Sequence, residues 1–511
     1  MAYKLNIPLP SKGLMVDRPA EFVDQRSASA LKNLETNRGI IRKRGGTSAV
    51  GDSLGERIQR YFELQVGNQT RLFRVGLTEI EVLNKSTLVW SSVASAPLNG
   101  SVDNQVSYAF PLLSGEKIAV YTNGTDAIRK CLISGNDSAL GGSPPKARYV
   151  QAFGPYLVLA YVIDSGTNYY SRVQWCDTGL PETWTGGNAG NTNLLEDPDD
   201  ITGLGVFGNS LTVHKQGAIY VGNLVTTSEV FRFDRCATGV GAVAGATIQN
   251  IPSGEQIFLA SDGIHLFNGV TAPLIDSPVQ DELRESMNPL YLYKAQSVFV
   301  REIDEYWVCV PTGSDTEPQT VYRYNWRTKQ MYKDVRTNLT AIGISVNTQE
   351  DTWADRAIAW DSDTTNWDSI QNLSLNPIVV FGDSSGLSTR RTSNSNNDNG
   401  TAIEAYLETK DFTGEDFGVP DFGVMMRWKG LGLWAKGNTM KVYYSTDEGS
   451  TWNLVENLAL SSSYPSDSAP LPSYFDVVSS QIRYRFYNGV AGESFTLKKY
   501  MIEASRREAR R

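Results

Sequence analysis

Two histidines, His214 and His265, are all that 511 residues offer to chemistry that runs on imidazole. A zinc cluster needs three or four nitrogen or sulfur ligands, and a nucleophilic triad needs a histidine held against its nucleophile. Both histidines fall inside strand-forming runs, so packing is their expected role. Four cysteines, Cys131, Cys176, Cys236 and Cys309, lie far apart and match no metal or redox spacing. Two acidic loops, residues 196–200 and 361–368, carry oxygen ligands suited to calcium, but neither has the glycine and terminal glutamate of an EF-hand loop. Carboxylate pairs for glycoside hydrolysis could be drawn from the same acids, and nothing in the sequence sets two of them face to face. No catalytic residue, cofactor or metal site is therefore expected, and the chain is not read as an enzyme.

Three further motifs carry weaker signals. Gly239-Val240-Gly241-Ala242-Val243-Ala244 matches the G-x-G-x-x-A dinucleotide pattern by letter. No strand–helix unit surrounds it, so a flexible inter-strand loop is the expected meaning. Ser445-Thr446-Asp447-Glu448-Gly449-Ser450-Thr451-Trp452 is a full Ser-x-Asp-x-Gly-x-x-Trp box. It resembles the Asp-box of sialidase propellers, where it has a structural role: Ser445 and Asp447 tie a hairpin turn, Gly449 makes the bend and Trp452 packs beneath. Sialidases carry several copies and an arginine triad; this chain has one copy, outside the repeats. The basic residues at 498–499 and 506–511 form a tail that could contact an acidic partner surface or nucleic acid.

The elements around these residues are strands. A turn glycine, a short apolar strand, a second tight turn and another strand recur from Gly67, Gly115, Gly154, Gly208, Gly254, Asp304 and Asn376. A drifting period of about 40–50 residues of strand is the mark of a β-propeller, here with roughly six to eight blades. Tyr156-Leu157-Val158-Leu159-Ala160-Tyr161-Val162 is continuously apolar, as a strand covered on both faces should be. One helix is expected over residues 277–287, with Ser277 as N-cap and Pro278 at its first position. Residues 24–34 read as a short helix or turn, and residues 390–401 as a polar linker or exposed loop. After that the period breaks, and about eight strands over residues 402–508 have the spacing of a β-sandwich. The expected fold is all-β: an N-terminal extension over 1–55, a β-propeller over 56–400 and an appended β-sandwich over 401–511.

Composition agrees. Charged residues are 20%, hydrophobic residues 41% and aromatic residues 10%, with 24 Tyr and 11 Trp, a sheet-leaning profile. The net charge of −9 shows no basic stripe for reading nucleic acid, though an acidic wall would let DNA slide without sticking. No signal peptide or spanning segment is expected, and the unpaired cysteines suit a reducing cytosol.

Four stretches together resemble the propeller proteins of short-tailed bacteriophage tails, called tail nozzle, tail hub or tail tubular proteins. They are residues 14–46, with Leu31-Lys32-Asn33-Leu34 and Gly39-Ile40-Ile41-Arg42-Lys43-Arg44-Gly45-Gly46; residues 171–184; residues 239–264; and the C-terminal strands with Thr409-Lys410-Asp411-Phe412 and Tyr484-Arg485-Phe486. The resemblance covers most of the chain at the level of fold and brings no catalytic residues. It implies a structural virion protein, assembled in the bacterial cytoplasm, whose copies form a ring of commonly about six. Its partners would be other copies, the portal, the adaptor and other tail proteins. The ring would continue and gate the DNA ejection channel, with viral double-stranded DNA passing through unread. Arg42, Lys43 and Arg44 and the C-terminal sandwich would make the contacts. The alternative is a carbohydrate-binding or glycan-cleaving propeller, such as a receptor-binding tail protein, with Trp353, Trp360 and Trp367 stacking on sugars.

Overall fold

The computed structural model describes residues 2–8, 13–37, 40–225, 229–346, 377–392, 395–419 and 424–506. Seven sheets of three or more strands follow one another along the described chain, with a two-stranded one, Leu112–Leu113 and Glu116–Lys117, inside the second. The first holds Arg60–Val66, Gln69–Val75, Ile80–Asn84 and Val89–Ser92. The second, third and fourth open on Ser107–Ala109, Lys146–Phe153 and Ile201–Phe207, and each has four strands in sequence order. The fifth has three, Gln249–Asn250, Gln256–Ala260 and Gly263–Phe267. The sixth runs from Gln296–Val300 to Met331–Val335. The seventh contains Leu339–Ser345, Ile378–Asp383 and Ser388–Arg391, and takes its next strand, Thr47–Ala49, from near the N-terminus.

The seventh sheet meets the first. Tyr61 Oη donates to Ser388 Oγ at 2.8 Å and to the Phe381 carbonyl at 3.2 Å, and Thr340 Oγ1 donates to the Ile58 carbonyl at 2.8 Å. An all-β chain of mostly four-stranded sheets whose last sheet packs on its first is consistent with a β-propeller. Neighbouring sheets cover each other, so middle strands are apolar on both faces. Tyr156 to Val162 is buried throughout, as its composition requires.

The turn residues that set the period lie between the first and second strands of their sheets. Gly67, Gly154 and Gly208, with φ of 57°, 54° and 57°, each hold the first place of a two-residue hairpin loop, where a type II′ turn needs positive φ. Asp304 takes the equivalent bend in the sixth sheet at φ 56°. Each of these sheets therefore begins one strand before the mark read from the sequence. Asn376 lies outside the described residues.

Two further six-stranded sheets hold the C-terminal strands together with most of the N-terminal ones. Leu34–Asn37, Ile40–Lys43, Phe495–Arg506, Met426–Gly437 and Leu471–Ser479 form one, with Ala2–Pro8 also paired to Phe495–Arg506. Ala30–Lys32, Ala405–Glu408, Gln481–Asn488, Thr439–Ser445 and Asn453–Ala459 form the other, with Phe412–Thr413 also paired to Gln481–Asn488. Gln481–Asn488 buries every second residue, Ile482, Tyr484, Phe486 and Asn488. Phe486 meets Tyr500 of the first sheet at 5.3 Å between ring centres. Trp428, Leu433, Val442, Tyr484 and Ile502 share one core, which continues into Tyr306, Val308 and Tyr322 of the sixth propeller-like sheet.

Three local expectations are corrected. Of the short helix or turn expected over residues 24–34, the turn is present at 24–27, but it leads into strand Ala30–Lys32, and Leu31 and Leu34 are buried in strands that complete the two C-terminal sheets. The demand of those sheets for edge partners outweighs local preference. The helix spans Gln280–Ser286 with Val279 rather than Ser277 at its cap; residues 277–280 form a turn in which the Gln280 amide donates to the Ser277 carbonyl at 3.3 Å and the Val279 amide to Ser277 Oγ at 3.4 Å. Residues 390–401 are not a free linker. Asn397–Asp398 pairs with Thr401–Ala402, and Asp398 also meets Thr47.

Candidate functional site

Arg42 and Lys43 lie on opposite faces at the end of the strand Ile40–Lys43 and Arg44 follows it, and the three cations meet three fates. Arg42 is half-exposed and pairs with Glu35 at 2.7 Å. Lys43 is buried; its ammonium donates to Asn488 Oδ1 and to the Glu493 carbonyl, both at 2.9 Å. Burial, with Arg44 alongside, pulls its pKa down to about 8. Arg44 is 2% exposed. Its guanidinium donates to both oxygens of Asp398, and its Nε donates to Asn33 Oδ1 at 3.0 Å. Lys43 and Arg44 are thus spent inside the chain. Of the three, Arg42 alone has an exposed side chain.

Arg44 belongs to a buried charge network. Asp334, fully buried, lies 3.9 Å from Arg44 and 3.2 Å from Arg323. Arg323 also faces Glu35 at 3.6 Å and Glu305 at 3.8 Å, and Arg391 reaches Glu35 at 2.9 Å. Arg336 shares Asp398 with Arg44 at 3.4 Å. Burial pushes Glu35 up, but Arg323, Arg391 and Arg42 outweigh it and hold this carboxyl below its usual range. Burial wins at Glu305, which is raised despite Arg323. Burial and the neighbouring Arg44 bring Arg336 down to about 9. These residues come from the N-terminal strand, the sixth sheet and the seventh, so the network staples three parts of the chain. A cavity of about 430 Å³ lies beside it, lined by Lys32, Asn33, Arg336, Asn338 and Glu404 among others. A buried network of this kind contributes uniqueness of arrangement more than net stability. Sequence reading missed it, although charges inside apolar runs (Arg323 between Tyr322 and Tyr324, Asp334 after Tyr332) were the visible sign.

The box at residues 445–452 closes the hairpin between Thr439–Ser445 and Asn453–Ala459. Ser445 Oγ donates to Asp447 Oδ1 at 2.7 Å and accepts from the Gly449 amide at 2.9 Å. Asp447 accepts from the Thr451 amide at 2.9 Å and from its hydroxyl at 2.6 Å. These bonds hold the Asp447 carboxyl down at about 2. Gly449 sits at φ 90°. Trp452 lies under the Arg485 guanidinium, 4.0 Å from its ring centre.

The other candidates are structural as placed. His214 is fully buried between sheets, with Nε2 2.9 Å from Gln256 Oε1 and its ring edge-on to Phe258; burial drives its pKa to about 4. His265 bridges Asp262 Oδ1 at 2.9 Å and the Ala272 carbonyl at 2.8 Å. In the acidic loop 196–200, Asp197 accepts from Tyr220 and Arg235, and Asp199 accepts from the Gly217 amide. The glycine-rich loop packs against the fourth sheet: a Cβ on Gly241 would lie 1.8 Å from the Lys215 carbonyl oxygen. Trp353, Trp360, Trp367 and the second acidic loop lie outside the described residues. Among the described residues no group of three His, Cys, Asp or Glu could hold a metal ion, and no helix is long and apolar enough to cross a membrane.

The first strands of the sheets converge on one polar cavity of about 180 Å³. Arg60 comes from the first sheet, Tyr108 from the second, Tyr149 and Gln151 from the third, Leu204 from the fourth and Gln249 from the fifth. A second chamber of about 300 Å³, with Asp103 and Arg148 in its wall, shares Gln105, Tyr149 and Tyr293 with it.

No protein-family model and no curated protein matches the sequence. Among solved structures the chain is similar to BamB from Moraxella catarrhalis, at 9% identity and a TM-score of 0.35, over 68% of this chain and 100% of that one. It is also similar to an exo-β-1,3-galactanase from Phanerochaete chrysosporium solved with galactose, at 11% identity and a TM-score of 0.29, over 90% of this chain and 100% of that one.

Proposed function

We propose that this chain is a structural subunit of a short-tailed bacteriophage tail. It is read as a seven-bladed propeller with an appended C-terminal sandwich, copies of which form a ring below the portal and adaptor. The ring continues and gates the DNA ejection channel, and the acidic balance of the chain keeps it from gripping the duplex. One observation carries the reading: N-terminal strands are woven into both C-terminal sheets and into the seventh sheet, and the buried Arg44–Asp398 pair fastens the joint. A part that transmits load through a ring needs its two bodies fastened in this way. Edge strand Leu471–Ser479 exposes Tyr474, at 77%, and Val478, which suits contact between copies. The assignment rests also on the family resemblance of residues 14–46, 171–184, 239–264 and the C-terminal strands.

Negative-stain imaging of the purified chain, alone and with a portal–adaptor complex, tests it. Rings with a lumen that dock on the adaptor are expected. Monomers that neither close a ring nor dock would overturn it.

A second reading, binding of carbohydrate, is favoured by one face of the C-terminal sheets. Tyr406 and Trp452 flank Arg485 at 5.0 and 4.0 Å, and Tyr443 and Tyr487 pack edge-to-face beside them. Flat rings beside charged donors suit a sugar. Glycan-array binding that is lost in Trp452→Ala would support it over the ring.

A further inference from the structure

We propose that the convergence of the propeller-like sheets is a binding site for a small oxyanion, with Arg60 as its anchor. Six arginines are buried among the described residues. Five have an acid: Arg44 has Asp398, Arg57 has Glu317, Arg74 has Glu81, Arg323 has Asp334, and Arg336 shares Asp398. Arg60 is the exception. It is 7% exposed, and no ion pair joins it to an acid among the described residues. Its Nη1 donates to a neutral amide, Gln296 Oε1, at 3.0 Å, and its buried Nε has no partner among the described residues. Its guanidinium stands 5.5 Å from the centre of the Tyr108 ring, in the wall of the 180 Å³ cavity.

Asp103, in the wall of the adjoining chamber, and Glu317 are engaged elsewhere. Asp103 accepts from Tyr293 Oη at 2.6 Å and faces Lys294 at 3.6 Å. Glu317 is held by Arg57 and Lys294. A buried cation without a counter-charge is costly. Water can satisfy the Nε donor but not the charge. An oxyanion does both, and charge-assisted bonds to guanidinium are strong and directional. Gln105, Tyr149, Gln151 and Gln249 supply polar atoms around the remaining space. The class is therefore a tetrahedral oxyanion or a carboxylate of small size.

Titration calorimetry of the full chain with sodium phosphate, sulfate and acetate in turn, at fixed ionic strength, tests the site. A single saturable binding event is expected for at least one of them, and the arm that binds separates tetrahedral anions from carboxylates. Arg60→Met should weaken it by at least about tenfold. Gln151→Phe, which fills the cavity and leaves the Arg60–Gln296 bond, should weaken it likewise, and it decides the matter alone if Arg60→Met does not fold. Absence of saturable binding by all three anions in the unaltered chain, or unchanged binding in either folded variant, overturns the proposal.

Discussion

The Arg44 guanidinium holds the Asp398 carboxylate at 2.9 Å to Oδ1 and 2.5 Å to Oδ2, across 354 residues of chain. The pair sits where Thr47–Ala49 enters the seventh sheet, and Thr47 Oγ1 contributes a longer bond of 3.4 Å to the same carboxylate. Asp398 in turn leaves Arg336 only a shared, 3.4 Å contact. One carboxylate thus neutralises two buried guanidinium groups.

Asp398→Asn should therefore be costly. It takes the closest counter-charge from Arg44 and Arg336 and leaves them only the more distant Asp334, 3.9 Å from Arg44, and the expected loss is about 3 kcal/mol. Urea denaturation measures it. A loss under about 1 kcal/mol would show that the network relaxes around water instead.

Stability should fall with acid well above the carboxylate range, because of His214. Its pKa is about 4 in the folded chain and 6.5 in the open. Between those values the unfolded chain binds a proton that the folded chain refuses, so stability rises with pH across the window and is lost as pH falls from 6.5 toward 4. The full effect is about 3 kcal/mol. In His214→Gln the slope over that window should flatten; a slope that persists unchanged would assign it to other groups.

The 445–452 hairpin makes a local prediction. Gly449→Ala forces a Cβ into positive φ and to 3.0 Å from Arg483 Nη1, and should cost about 1–2 kcal/mol. Asp447 titrates low in the folded turn, so its support is complete above the usual carboxylate value and is lost as pH falls toward about 2. Hydrogen exchange at the Gly449 and Thr451 amides reads both effects. Exchange at these amides unchanged by Asp447→Ala would remove the box from its structural role.

Thiol chemistry should separate the four cysteines. Cys131, Cys176 and Cys309 are buried, and burial raises them to about 12, 11 and 12. Cys236 is only partly covered. An aromatic disulfide reagent should modify Cys236 alone in the native chain and all four in denaturant. Rapid native labelling of Cys309 would contradict its packing.

Arg42 is the residue with which to probe partner contact. Its side chain is half-exposed, and Arg42→Glu sets a like charge opposite Glu35 across the strand pair, so it should cost folding about 1 kcal/mol while weakening the proposed ring formation or docking. Lys43 and Arg44 cannot serve this purpose, since substituting either disturbs the core. An Arg42→Glu chain that assembles and docks normally would place the contact elsewhere.

Strand, turn and repeat were legible because they are local. Positive φ at Gly67, Gly154 and Gly208, and the apolar run from Tyr156 to Val162, depend on residues within a few places of one another. The box at 445–452 was legible for the same reason, since all its bonds span two to four residues. The role of residues 30–49 was not, because short strands gain their identity from the edges they complete.

What this chain determined by itself was its all-β character, its period and the ties of its turns, each a matter of local sterics and alternation. What the tertiary structure alone decided was pairing at a distance: Arg44 with Asp398, Lys43 with Asn488, Ala30–Lys32 with Ala405–Glu408. The physical reason is desolvation. A charged residue reads as surface until a partner hundreds of residues away makes its burial tolerable, and no local pattern encodes that partner.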